Sequence, residues 1–209
     1  MKLSTIHQDV QTYFHSKINE FGPTPQGLDW NSQAGQLLRF DQLLKLCDRT
    51  QAYSLIDLGC GYGALLDYLK SAGDPVEYRG LDLSEAMILE AQKLHPDEPE
   101  SMFELGITTD RRADHVVASG IFNVKQQTSG DAWHAYIVET IRQMAHMSTR
   151  GFAFNCLTSY SDIDRQRPDL YYANPCWFFD YCKRTFSRQV SLLHDYGLYE
   201  FTILVRYDL

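Results

Sequence analysis

Gly59, Gly61 and Gly63 stand at alternate positions directly after the apolar run Tyr53-Ser54-Leu55-Ile56-Asp57-Leu58, and Leu65, Leu66 and Leu69 follow at helical spacing. An apolar run stopped by glycines and continued at a period of 3.6 reads as strand, loop, helix. Glycine tolerates positive φ and lets the backbone approach a ligand closely, while the helix beyond it offers unpaired N–H groups. This one segment points to an α/β architecture with a ligand at the C-terminal end of its first strand. It does not choose the ligand, because residues 59–64 also satisfy the dinucleotide pattern GxGxxG/A.

The rest of the chain keeps the same rhythm. Residues 76–81 read as a second strand, and Ser84 is placed to N-cap a helix carrying Met87, Ile88, Ala91 and Leu94 on one face. Further strands are expected at 101–105, 115–119 and 151–157, with a helix at 131–147 bearing Trp133, Ile137, Ile141 and Met144. A helix starting at Pro175 follows, and then two strand-like runs, 189–194 and 199–206, separated by the turn Asp195-Tyr196-Gly197. The expected fold is a doubly wound α/β domain with a mostly parallel seven-stranded sheet and a C-terminal antiparallel hairpin. Before it, residues 1–50 read as a helical cap broken at Gly22-Pro23-Thr24-Pro25-Gln26-Gly27, with Leu37, Phe40, Leu44 and Cys47 at helical spacing. No repeat or linker divides the chain, so residues 1–209 are read as one domain.

Two carboxylates narrow the ligand. Asp57 precedes the glycine loop, and Asp82 closes the second strand in Gly80-Leu81-Asp82-Leu83-Ser84, where an acid accepts hydrogen bonds from ribose hydroxyls. With an acid followed by GxGxG, the segment Leu55-Ile56-Asp57-Leu58-Gly59-Cys60-Gly61-Tyr62-Gly63 resembles the first motif of the class I S-adenosylmethionine-dependent methyltransferases. The resemblance runs from about residue 37 to the end and takes in the terminal hairpin, which dehydrogenase-type dinucleotide domains lack. It implies the Rossmann-like methyltransferase fold, S-adenosylmethionine as cofactor and S-adenosylhomocysteine as product.

Carried over by position, the resemblance implies that Gly59, Gly61 and Gly63 approach the methionine part of the cofactor, with Cys60 between them. Asp82 would hold the ribose beside Leu83, and Asp57 would support the loop or meet the amino group. After the third strand the family often has an acid that meets the adenine amino group, whereas this chain has Ile107, which offers a backbone N–H and apolar cover; Asp110 lies farther on. Ser119 and Gly120 would border the cofactor, and Asn123 and Lys125 would face the substrate. Upstream, in Trp30-Asn31-Ser32 and Arg39, the family folds over the cofactor. Arg39 then either pairs with the cofactor carboxylate through its two parallel donors or is simply solvated.

Methyl transfer from a sulfonium needs a nucleophile in line and little else from the protein. If the acceptor carries a proton, His134, His194 and Tyr160 are the candidate bases, each with an ordinary packing role as its alternative. Aromatic residues are dense where this family builds its acceptor pocket, and among them Tyr160, Tyr171 and Tyr172 are the expected pocket residues. Two look-alikes carry less. Tyr13 and Lys17 have the YxxxK spacing of short-chain dehydrogenases but precede the glycine loop, and Asn174-Pro175 is a good helix start rather than a DNA-methyltransferase motif.

Composition decides among acceptors. With 19 basic and 27 acidic side chains the formal charge is -8, a field that repels phosphate backbones and anionic lipid, so nucleic acid and membrane are not expected partners. A small-molecule acceptor with an O or N nucleophile is the preferred reading, with a protein or RNA acceptor left open, in a cytoplasmic protein without a signal sequence or apolar span. The five cysteines show no zinc-ligand spacing and read as reduced packing residues, with no metal expected. Two other readings stay open at this level: a non-catalytic module that binds the cofactor and acts through a partner, and an NAD-dependent oxidoreductase on the same loop.

Overall fold

The computed structural model describes residues 3–30 and 32–207, and Asn31 lies outside them. Helix α1 (Leu3–Phe21), a 3-10 turn (Pro25–Leu28) and α2 (Gln33–Leu44) come first. The sheet then alternates β1 (Tyr53–Leu58), α3 (Ala64–Ala72), β2 (Val76–Asp82), α4 (Glu85–Leu94), β3 (Phe103–Leu105), β4 (Ala113–Ala118), α5 (Gly130–Met147) and β5 (Ser148–Leu157). Helix α6 (Pro175–Thr185), β6 (Gln189–Leu193) and β7 (Glu200–Arg206) complete it. Helix starts follow the capping chemistry: Ser32, Ser84, Ser129 and Asn174 each accept from the N–H three residues on, and Pro175 fills the first helical position of α6.

The seven strands lie in the order β3-β2-β1-β4-β5-β7-β6. The first five are parallel, and β7 inserts antiparallel between β5 and β6, pairing Gly151 with Arg206 through to Leu157 with Glu200. Crossovers run outward in both directions from β1, so the C-terminal ends of β1 and β4 flank the point where the winding reverses. Ligands bind there in open α/β sheets.

Both faces of the sheet are covered. Leu55, Val117, Ala153 and Leu204 face α2 and α3 with Phe40, Leu43, Leu65 and Leu69, while Ile56, Val116, Phe152 and Phe154 face α5 and α6 with Ile137, Ile141 and Phe178. The alternation along each strand sends successive side chains to opposite layers. The third strand is shorter than expected, because Glu100–Met102 form a 3-10 turn, and β4 ends at Ala118, which leaves Ser119 in the following loop. All five cysteines are free thiols. No helix among the described residues is long and apolar enough to cross a membrane.

Candidate active site

The glycine loop is built as its sequence dictates. Gly59, Gly61 and Gly63 have φ of 79°, 56° and 90°, values that disfavour any side chain. A Cβ on Gly61 would lie 2.6 Å from Leu28 Cδ2, and one on Gly59 would lie 2.1 Å from Ile121 Cγ2. Gly63 serves a different end, because a Cβ there would meet the His95 ring, so the third glycine answers to core packing rather than to the ligand side. The Cys60 thiol turns inward against Gly80, leaving only its backbone at the loop.

Asp82 clamps this loop. Its Oδ2 accepts from Gly61 N at 2.9 Å and its Oδ1 from Ser84 N at 2.8 Å, so one carboxylate fixes both the loop and the start of α4. Asp57 is buried and accepts from the Tyr78 hydroxyl at 2.8 Å. Burial pushes the Asp57 carboxyl up to about 7, against the pull of that hydrogen bond, with the Asp82 charge adding to the rise. Asp82 is also raised by burial, opposed by its backbone hydrogen bonds.

The Asp57 shift has a sign that can be measured. A carboxyl whose folded pKa lies above its ordinary value of 3.8 binds its proton more tightly when folded, so its contribution is full below 3.8 and declines as pH rises to about 7. Urea midpoints of wild type and Asp57→Asn, compared from pH 4 to 7, are expected to draw apart in that sense, the wild type losing stability relative to the variant. A difference that stays constant across the range would show that Asp57 titrates outside it.

A cavity opens over the loop. Its floor is Gly59, Asp82, Leu83, Gly106, Ile107, Ser119 and Gly120, and its far wall is Tyr136 and Thr140 of α5. The cap closes it with Val10 and Phe14 of α1 and with Leu28 and Trp30. Gln11 Nε2 donates to Leu83 O at 2.7 Å and ties α1 to the end of β2. Trp30 rests on Gly120, where a Cβ would come within 2.1 Å of its ring. On the other side of Trp30 a second cleft continues, sharing Phe14, Leu28, Trp30 and Gly120 with the first.

The chain has these likenesses among known proteins. A family model described as a methyltransferase domain matches residues 56–150. A protein of Mycobacterium tuberculosis named "Putative methyltransferase Rv1506c" is 50% identical over 163 residues, 78% of this chain and 98% of that protein. The chain belongs to the S-adenosylmethionine-dependent methyltransferases. Its fold is shared by the magnesium protoporphyrin IX methyltransferase from Synechocystis PCC 6803 with bound SAH, at a TM-score of 0.66 and 13% identity, covering 99% of this chain and 100% of that one. The plantazolicin methyltransferase BpumL, in complex with a pentazolic desmethylPZN analog and SAH, aligns at a TM-score of 0.62 and 12% identity over 97% and 98% of the two chains.

S-adenosylmethionine is the cofactor of this methyltransferase and S-adenosylhomocysteine its product, and the cavity residues fit them. Gly59 presents bare backbone to the cavity, and the Ser119 hydroxyl on the cavity wall is buried with no protein partner among the described residues. An unpartnered buried hydroxyl on such a wall is free to bond a ligand.

Several expected site residues are placed otherwise. Arg39 is neither solvated nor free: its Nε and Nη2 donate to Glu200 at 2.8 and 2.7 Å, and its guanidinium lies 4.0 Å from the centre of the Trp30 ring. Asn123 is buried, its Oδ1 accepting from Leu157 N at 3.0 Å and its amide reaching Glu200 at 3.4 Å. Lys125, Tyr160, Tyr171 and Tyr172 line neither cavity. Lys125 turns to Gln126 O, Tyr160 is 68% exposed beside His194, and the Tyr172 hydroxyl accepts from Arg167 N. The Tyr171 hydroxyl bonds His134 Nδ1 at 3.0 Å, with Trp177 and Phe178 packed on the same imidazole, so His134 packs α5 against α6.

The sequence reading missed the cap contacts and the far wall. Val10 and Phe14 sit four apart on one face of α1, a spacing that marks a buried stripe but not what it covers. Tyr136 and Thr140 carry the same spacing on α5 and look like any other core pair.

Proposed function

We propose that this chain is a single catalytic domain, with residues 1–50 as its cap, that transfers a methyl group to a small-molecule O or N acceptor. The observation that carries the reading is the meeting of a glycine loop clamped by Asp82, the buried carboxylate of Asp57 and a second cleft at the reversal point of the sheet. Gly59, Cys60 and Gly61 present backbone to the methionine end, with Gly63 supporting the loop from behind. Asp82 has lone pairs left for the ribose after serving Gly61 and Ser84, and Leu83 and Ile107 supply apolar cover at the purine end.

Ser119, Gly120 and Trp30 stand between the cofactor and the second cleft. When bound, the cofactor supplies an electrophilic methyl group on a sulfonium. The protein's part is to hold the acceptor against Gly120 and keep water away from it, with Trp30 as the wall the two cavities share. Asn123 borders that cleft, where it holds Glu200 in place. The acidic net charge supports a small molecule over a nucleic acid.

Calorimetric titration with S-adenosylhomocysteine, with NAD as a parallel control, tests the cofactor assignment. Saturable binding of the first and none of the second is expected, along with a rise in thermal midpoint, since a ligand specific to the native state stabilises it. Binding of NAD in preference would return the glycine loop to an oxidoreductase.

A further inference from the structure

The second cleft is lined by four charged side chains, Asp29, Arg39, Arg167 and Glu200. Every one of them is already matched within the protein. Arg39 gives two donors to Glu200. Arg167 gives Nε and Nη2 to Asp169 at 3.1 and 2.6 Å. Asp29 receives Lys17 at 3.0 Å and the Tyr13 hydroxyl at 2.8 Å. With each charge compensated, an ionised guest would give up its hydration and meet no free counter-charge, the arrangement that makes burial of a charge costly. An uncharged guest incurs no such cost.

The rest of the wall is uncharged, the apolar Trp30, Leu157, Leu170 and Leu198 standing beside the neutral polar Ser32 and Asn123. What polar capacity remains suits a group that both donates and accepts. The bonds to Glu200 use Nε and Nη2 of Arg39, leaving Nη1, which lies 3.0 Å from where a Cβ on Gly35 would stand. On Glu200, Oε1 takes Arg39 and Asn123, whereas Oε2 takes Arg39 alone and keeps a lone pair. A hydroxyl, which both donates and accepts, can use either of them: it accepts from Nη1 or donates to Oε2. The mouth of the cleft is open to water at Arg167, whose side chain is 54% exposed.

We propose that this cleft is the acceptor site and that the acceptor is an uncharged molecule with an apolar body and a free hydroxyl, methylated on oxygen; this rests on the small-molecule reading above. The acceptor oxygen forms the new bond to the methyl carbon, the carbon–sulfur bond breaks with its electron pair left on sulfur, and the hydroxyl proton passes along its hydrogen bond to Oε2 of Glu200.

Three probes of one length separate the possibilities: 1-hexanol, hexanoate and hexylammonium, titrated at neutral pH into isotopically labelled protein with and without saturating S-adenosylhomocysteine. Hexanol is expected to move the Asn123 side-chain amide and Arg39 Nε–H resonances saturably, and to bind roughly tenfold or more tightly than either ion, the margin expected from desolvating an uncompensated charge. Leu198→Trp and Leu170→Trp, each folded by the dispersion of its amide spectrum, should lose those shifts by filling the cleft. The proposal is overturned by an ion that matches hexanol, by no response to any probe, or by hexanol shifts that persist in both filled variants. Because the probes are also compared without S-adenosylhomocysteine, a failure of the cofactor to bind would count against the cofactor assignment separately.

Discussion

Gly151→Val should destabilise the fold by about 4 kcal/mol or more, at the upper end of what single substitutions do. The Cβ it introduces would stand 2.2 Å from the Val205 carbonyl oxygen and 3.2 Å from Arg206 Cα. Both are backbone atoms of β7, so no side chain can swing aside to make room. Gly151 also sits at φ 156°, and it is the residue through which β5 pairs with Arg206. Since a domain of ordinary size holds about 5 to 15 kcal/mol in total, the urea midpoint should fall steeply. Gly130→Ala is the control: nothing lies within 4 Å of a Cβ there, and its midpoint should stay within about 0.5 kcal/mol of wild type. An unchanged midpoint for Gly151→Val would show that β7 can be displaced from β5 at little cost.

The second large effect is expected at Asp82. Alanine there leaves Gly61 N and Ser84 N without their acceptor and removes the lone pairs assigned to the ribose. Hydrogen bonds to a charged group contribute about 1.5 to 3 kcal/mol each, so two or more of them should weaken S-adenosylhomocysteine binding on the order of a hundredfold. Asparagine keeps one acceptor oxygen but turns an amide toward the other N–H, and should fall between wild type and alanine. Calorimetry on the three proteins checks the order. Equal affinities would mean that the loop keeps its shape, and the cofactor its hold, without the carboxylate.

Much of this fold was legible because the signals are local. The glycine loop, the Ser84 and Asn174 caps and the terminal hairpin each announce themselves within a few residues, and all of them form as read. The resemblance carried by Asp57 through Gly63 supplied the family in the same way. The acceptor side was not legible, for a physical reason. Arg39 and Glu200 are 161 positions apart, and no spacing rule reaches that far. A guanidinium on a helix in the sequence says nothing of the carboxylate that will meet it, so the two readings open for Arg39, a cofactor carboxylate or solvent, both leave out Glu200 of β7. The tyrosines are a different case. Tyr160, Tyr171 and Tyr172 read as pocket residues because they are aromatic and lie in the right interval, yet it is Arg167 and Leu170 of that interval that line the second cleft, while the Tyr171 and Tyr172 hydroxyls bond His134 and Arg167 N.

The place of β7 bears on how the chain is made. Strand β5 is largely buried in the finished sheet, with Phe152, Phe154 and Cys156 on one side and Ala153 on the other. Until β7 leaves the ribosome, that strand has an open edge, a template for pairing with other nascent chains. Strand β6 emerges earlier but cannot shield it, because β6 reaches the sheet only through β7. The same late strand delivers Glu200, the anchor of Arg39 on α2. During synthesis, then, the glycine loop can be complete while the acceptor cleft still lacks one wall and the cap its tether, and chaperone demand should peak in that interval.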